Sequence, residues 1–329
     1  MKIFTFTFTF KFKPGILRTT MIILSGGTGT PKLIDGLRNL LPDEEITVIV
    51  NTGEDIWSSE VFITPDIDTV LYLFAGILDK TRWWSIIGDT YNTYHQMKEL
   101  GLSEILMLGD RDRAVNLART DMLKKGMTLT EATADISKSF GIRAAIIPMS
   151  DDVITSMIET PRGQMHFQEF WVTHKGTPDI LSFEYRGIGE ARLSPAAKVA
   201  LEKEDCVIIG PSNPMTSIGP ILALPEIKEI LKTKKVIAVS PIIGNEAVSG
   251  PAGKLMAAKG LDVSSKSVAA LYKDFIDVFV YDIRDGVLNP EDIEKMGIKA
   301  VALDTMMTDE ERRTELAREI LKLFNLLSV

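Results

Sequence analysis

Short apolar runs recur along the chain, each ending in a polar or glycine-containing turn and followed by a stretch with helical period. Met21–Ser25 (M-I-I-L-S) and Ile46–Val50 (I-T-V-I-V) open the series, and Cys206–Ile209 and Lys235–Val239 continue it. Residues 143–149, 278–281 and 300–303 read the same way. Apolar runs of this length, not alternating, are the mark of strands buried on both faces. Between them, Pro31 suits the first turn of a helix whose stripe is Leu33, Leu37, Leu40 and Leu41. Residues 69–77, 112–125, 130–140, 194–204, 224–232 and 309–327 also read as helices. Strand, loop and helix in alternation predict a parallel sheet covered on both sides. From 153 to 190 the pattern changes. Alternating runs at 154–159 and 181–185 predict hairpins or a mixed sheet, hence an inserted mixed α/β subdomain. No repeat and no Pro- or Ser-rich linker interrupts the chain, so residues 21–329 read as a single α/β domain.

The first twenty residues do not fit this scheme. F-T-F-T-F-T-F-K-F has the alternation of a strand, but Lys13-Pro14-Gly15 follows, and Met21 then opens a clean buried strand. There is no continuous apolar core and no small-residue cleavage site, so this is not a signal peptide. Either it is an added edge strand, or Met21 is the true start and residues 1–20 are a non-native or disordered extension. The second reading is preferred.

Composition narrows the chemistry. A chain of 329 residues with 45% apolar and 25% charged residues is an ordinary globular protein. One cysteine, Cys206, excludes a disulfide framework and a cysteine-held metal, and fits a cytoplasmic protein. Three histidines make a histidine-rich metal centre a poor expectation. No uncharged apolar run approaches the roughly 20 residues of a membrane span. The net charge is −8, and the first twenty residues hold four cations and no acid, so the remainder is more acidic still. Such a body is a poor partner for nucleic acid. An anionic substrate would have to be met locally, by amide N–H groups, a few cations or a divalent metal.

The candidate chemistry lies in the loops that follow the strands, where ligands bind in open parallel sheets. Ser25 is followed by Gly26-Gly27-Thr28-Gly29-Thr30, a glycine loop ahead of a helix N-terminus, suited to a phosphate. Lys32 comes too soon for a Walker A loop and stands where a dinucleotide fingerprint needs its third glycine. Gly210-Pro-Ser-Asn-Pro214, with Ser212, Asn213, Thr216, Ser217 and Gly219, offers hydroxyls and amides for ribose, base or phosphate. The stretch from Ser240 to Lys254 offers Ser249, Gly250 and Gly253 as an amide nest and Lys254 as a point charge.

Two acidic motifs accompany these loops. Read as extended, Pro65-Asp66-Ile67-Asp68 puts Asp66 and Asp68 on one face, a pair able to hold Mg²⁺ beside a diphosphate. N-capping of the next helix by Asp68 competes with that reading. Glu54-Asp55 is a weaker companion. In Leu108-Gly-Asp-Arg-Asp-Arg113, Asp110 could cap the following helix and Arg111 could meet an anion, or the run is solvated and self-paired. Cys206 reads as inert core, His166 as a packing or hydrogen-bonded residue, and Trp83-Trp84 as core before a stacking platform.

With these motifs in place, the chain from Met21 onward resembles the 2-phospho-L-lactate transferase family. The matching stretches are L-S-G-G-T-G-T-P-K, V-N-T-G-E-D, P-D-I-D-T-V-L-Y, L-G-D-R-D, M-S-D-D, I-G-P-S-N-P-x-T-S-I-G-P-I and V-S-P-I-I-G-N-x-x-V-S-G-P-A-G-K-L-M. The resemblance implies a Rossmann-like, doubly wound, mainly parallel sheet and an enzyme of coenzyme F-420 synthesis. The phospholactyl group of lactyl-2-diphospho-5′-guanosine, or an enolpyruvyl analogue, would pass to the ribityl hydroxyl of the deazaflavin Fo, releasing GMP, with Mg²⁺ required. Asp68 and Arg111 take the positions of deazaflavin contacts, and the glycine loops would hold the guanosine diphosphate. Asp68 would orient or deprotonate the attacking hydroxyl or hold the metal, and Asp68→Ala is expected to lower turnover strongly with the fold intact. A homodimer in the cytoplasm is the expected state. Two rivals remain: a non-catalytic nucleotide-sugar sensor sharing the glycine loop, and an NAD-dependent oxidoreductase using Glu54 on the ribose.

Overall fold

The computed structural model describes residues 20–326, so the expectation about the N-terminal extension lies outside it apart from Thr20. Within that range seven strands form one sheet. They are β1 Met21–Ser25, β2 Ile46–Val50, β3 Ala145–Pro148, β4 Cys206–Ile209, β5 Lys235–Val239, β6 Val278–Asp282 and β7 Lys299–Leu303. Their order is β3-β2-β1-β4-β5-β6-β7, and every adjacent pair is parallel. Chain order therefore runs outward from β1 in both directions, the doubly wound arrangement. Met21 pairs with Ile46 on one side and Cys206 on the other, so β1 is central.

The apolar runs do not alternate because both faces of the sheet are covered. Ile22 and Leu24 of β1 feed one core with Val207, Ile209, Val236 and Ala238. Met21 and Ile23 feed the other with Val48, Val50, Ile208 and Val239. Each fully buried Leu, Ile or Val contributes about 1.5–3 kcal/mol to folding. The second core is closed by α1 (Gly29–Arg38), α2 (Pro65–Phe74) and the C-terminal helix Glu310–Leu326. Leu40 and Leu41 fall beyond the end of α1 but still pack against that core.

Three further helices matter for the site: α3 (Asn92–Glu99), α4 (Asp110–Lys124) and α5 (Leu129–Ser139). The region 153–190 holds the antiparallel strands Thr155–Thr160, Gly163–His166 and Ser182–Arg186, followed in space by a π-turn at Glu169–Thr173. Ile158, Met165 and Phe167 of this region belong to the first core.

Two local readings are corrected. The stretch expected to be extended at Asp66 and Asp68 is helical, because α2 begins at Pro65 rather than at 69. Proline at the first helical position and acids in the first turn both favour that start, and Thr64, not Asp68, is the N-cap. Asp110 does not cap the helix it opens. Its carboxylate accepts from Thr93 N at 2.9 Å and Thr90 Oγ1 at 2.6 Å, which caps α3 instead. Asp89 caps α4, accepting from the backbone N–H groups of Arg111 and Asp112 at 2.9 and 3.0 Å.

Candidate functional site

The strand order reverses between β1 and β4, and the loops leaving those strands meet above the sheet. Thr30 N donates to Ser212 Oγ at 3.0 Å, and Ser212 Oγ donates in turn to the Gly26 carbonyl. This close approach needs glycine at 29, since a Cβ there would collide with the Pro211 carbonyl. Gly27 takes φ +58°, a left-handed turn that glycine adopts without strain. α1 starts here with no side-chain cap and no acid in its first turn. With Thr30 N spent on Ser212 and Pro31 lacking an N–H, the Gly29 amide and the positive dipole end are left for an anion.

Below the junction lies a cavity of about 450 Å³. Gly27, Thr28, Gly29, Ser212, Asn213, Thr216, Ser217, Ser249 and Gly250 supply amides and hydroxyls to its lining. Ile63, Trp84, Leu106, Met107, Leu108, Phe167, Trp171 and Val172 make its apolar wall. Glu54, Asp66, Asp68 and Asp112 make its acidic floor. Among the described residues, no lysine or arginine lines the cavity.

Each acid is held differently. Asp66 accepts from Gly27 N at 2.8 Å and from Asn51 Nδ2 at 2.9 Å, tying the first turn of α2 to the glycine loop and to the end of β2. Burial pushes its pKa up to about 6 against those two hydrogen bonds. Asp68 is paired through both carboxylate oxygens with Arg119 of α4, a side chain with no exposed surface. Burial raises the Asp68 carboxyl and the guanidinium pulls it back. Asp112 accepts from Tyr72 Oη at 2.7 Å, and burial together with the Asp68 charge pushes it up to about 7. Glu54 accepts from Gln168 Nε2 at 2.9 Å, and burial and the Asp66 charge raise it well above the carboxylate range. Asp55, just behind, is buried with neither oxygen hydrogen-bonded, and burial raises it similarly. Five buried acids thus face one buried arginine.

A profile of the family described as 2-phospho-L-lactate transferase CofD matches residues 21–321. The chain belongs to the 2-phospho-L-lactate transferase family. Its relatives include the 2-phospho-L-lactate transferase of Methanosarcina mazei, 55% identical over 92% of this chain and 100% of that protein. Those of Methanococcoides burtonii and Methanocaldococcus jannaschii are 51% and 45% identical, over 92% and 91% of this chain and 99% and 96% of those proteins. Among solved structures, a UPF0052-family protein from Bacillus halodurans matches with a TM-score of 0.63 at 17% identity. That match covers 93% of this chain and 100% of the other, and speaks for the fold alone. Family membership makes the chain a transferase of coenzyme F-420 biosynthesis.

The family-marked positions part company here. Asp68 is on the cavity floor, whereas Arg111 lies outside the lining, its Nη1 donating to the Ile87 carbonyl at 3.3 Å. Of the loop residues expected to hold nucleotide, Gly27, Thr28, Gly29, Ser212, Asn213, Ser249 and Gly250 share the cavity. Gly26, Thr30 and Gly253 do not line it: Gly26 and Thr30 hold the loop junction, and Gly253 faces Val263. Lys254, expected as a point charge for an anion, donates to the carbonyls of Gly176 and Thr177 at 2.9 and 3.0 Å. Of the two tryptophans, Trp83 is buried and Trp84 lines the cavity. Arg119, Tyr72, Asn51 and Gln168 escaped the sequence reading. Asp112, Asn116 and Arg119 recur at the spacing of one helical face, and a polar stripe on an otherwise solvated helix is the signal that could have marked them.

Proposed function

We propose that the chain transfers the phospholactyl or phosphoenolpyruvyl group of a diphosphoguanosine donor to the ribityl hydroxyl of Fo, releasing GMP, with Mg²⁺. The observation that carries this reading is the cavity's three-part lining. Amide and hydroxyl loops suit a diphosphate, an apolar wall with Trp84 and Trp171 suits a flat tricyclic ring, and the acidic floor suits a bound cation. A diphosphate brought to four carboxylates with no lining cation needs positive charge from elsewhere.

The residues fit a divalent metal of the magnesium type, which takes one or two carboxylates and leaves its other positions to substrate phosphate and water. Asp66 and Glu54 beside the glycine loop would hold it, with unbonded Asp55 behind them. Bound there, the metal would neutralise diphosphate charge in the transition state. The chain's own groups do the rest. The amides at the start of α1 hold the phosphates, the apolar wall excludes water and orients the ring, and Asp68, fixed by Arg119, helps place the acceptor.

The test is incubation of the purified chain with Fo, each guanylyl donor and Mg²⁺, with mass spectrometry for the phosphodiester product and GMP. Formation of both with one donor is expected. Nucleotide binding without product from either donor would overturn the transferase reading in favour of a sensor.

A further inference from the structure

The proposed transfer requires a proton acceptor. As the acceptor hydroxyl oxygen forms its bond to phosphorus, its O–H bond breaks; the phosphorus–oxygen bond to the guanylyl phosphate breaks, and that electron pair leaves with GMP. The freed proton needs a side chain with an unoccupied lone pair facing the substrate. Two of the four floor carboxylates have both oxygens engaged, and a third is assigned above to the metal. Asp66 gives its two oxygens to Gly27 N and Asn51 Nδ2. Asp68 gives both of its oxygens to Arg119. Glu54 gives only Oε2 to Gln168, but it has the Asp66 charge beside it and is assigned above, with Asp66, to the metal.

We propose that Asp112 is the general base, its Oδ2 taking the proton from the attacking hydroxyl. This rests on the transfer reading above. Oδ1 of Asp112 is fixed by Tyr72 Oη at 2.7 Å and Asn116 Nδ2 at 3.0 Å. No described group donates to Oδ2, and that atom is not among the sealed, unpartnered polar atoms of the interior. Asp112 lines the same cavity as Leu108 and Met107, apolar side chains against which the ring of an acceptor would lie. One oxygen anchored and the other open to substrate is the arrangement a general base needs. The charged and titratable groups around it are Tyr72 and Asp68 from α2, Arg119 from its own helix and Asp89 from the loop before α3. It makes no hydrogen bond to Asp66 or Asp68. Burial and the neighbouring Asp68 charge lift it to about 7, where a base is both ionised and able to hold a proton.

The test uses the full chain, Fo, a guanylyl donor and Mg²⁺, and follows kcat across pH for the wild type, Asp112→Asn and Tyr72→Phe. GDP affinity by calorimetry monitors the donor site. The wild-type rate should rise with pH through a limb near 7, as Asp112 ionises, and then level. Asp112→Asn should lower kcat by about 100-fold or more and abolish the limb, with GDP affinity unchanged. Tyr72→Phe removes a hydrogen bond that favours the ionised carboxylate, so the limb should move to higher pH. A limb retained in Asp112→Asn, or unmoved in Tyr72→Phe, overturns the assignment while leaving the transfer reading intact. If Asp112→Asn fails to fold, the Tyr72→Phe profile decides alone. No product from the wild type with either donor overturns the transfer reading and this assignment with it.

Discussion

At the scale of single residues, Asp68 shows how a buried partner adds a structural cost to a site residue. The motif around it marks a functional carboxylate, and alanine there was expected to spare the fold. Its partner Arg119 is fully buried, so Asp68→Ala leaves a guanidinium in the interior without its counter-charge. Breaking a buried pair from one side costs about 3–5 kcal/mol. Asp68→Ala and Arg119→Met should each lower the unfolding free energy measured in urea by that much, with turnover lost as well. The pair Asp68→Asn with Arg119→Gln, which removes both charges, should be closer to wild type in urea than either single variant. Equal midpoints for wild type and Arg119→Met would show that the pair carries no structural weight.

At the scale of elements, the site depends on two loops touching and on helices capping one another. Gly29→Ala sets a methyl group against the Pro211 carbonyl and must part the loops after β1 and β4. Calorimetry should show GDP affinity reduced by at least tenfold, about 1.4 kcal/mol, while far-UV circular dichroism stays unchanged. Asp110 is a second case. Thr90 Oγ1 and the amides at the start of α3 hold its carboxyl well below the usual carboxylate range. Asp110→Ala should speed hydrogen exchange across α3 and leave α4 protected, because Asp89 caps α4. Faster exchange in α4 instead would restore the capping pattern expected from the sequence. Helix α3 went unread because it has no buried residue, so it carries no apolar stripe, while α4 was legible from its length alone.

At the scale of the whole molecule, the buried acids make stability depend on pH in an unusual direction. Asp66 and Asp112 rise from 3.8 in an unfolded chain to about 6 and about 7 in the folded one. Between those values the folded state holds protons that the unfolded chain has released, so stability falls as pH rises through that window. The free protein should melt at progressively lower temperature from mildly acidic pH to neutrality, and Asp66→Asn with Asp112→Asn should flatten the slope. Mg²⁺ with GDP should raise the melting temperature more at pH 8 than at pH 6, since the ionised site is the one that gains from a cation. A melting temperature independent of pH in the wild type would contradict the buried-acid arrangement.

The doubly wound sheet was legible because strand burial is a local, repeating signal. Four strands, Met21–Ser25, Ile46–Val50, Cys206–Ile209 and Lys235–Val239, stand where their apolar runs predict. The glycine and serine loops were legible too, since turns at strand ends demand particular residues in particular places. Which acid pairs with which base was not. The ion pair of Asp68 with Arg119 spans 51 residues, and the bond from Tyr72 to Asp112 spans 40. Sequence alone determined the strands, their loops and a carboxylate-rich motif. Tertiary packing decided which of those carboxylates are neutralised, which keep an open oxygen, and that no cation among the described residues lines the cavity, because charge pairing across a fold leaves no periodic trace in the chain.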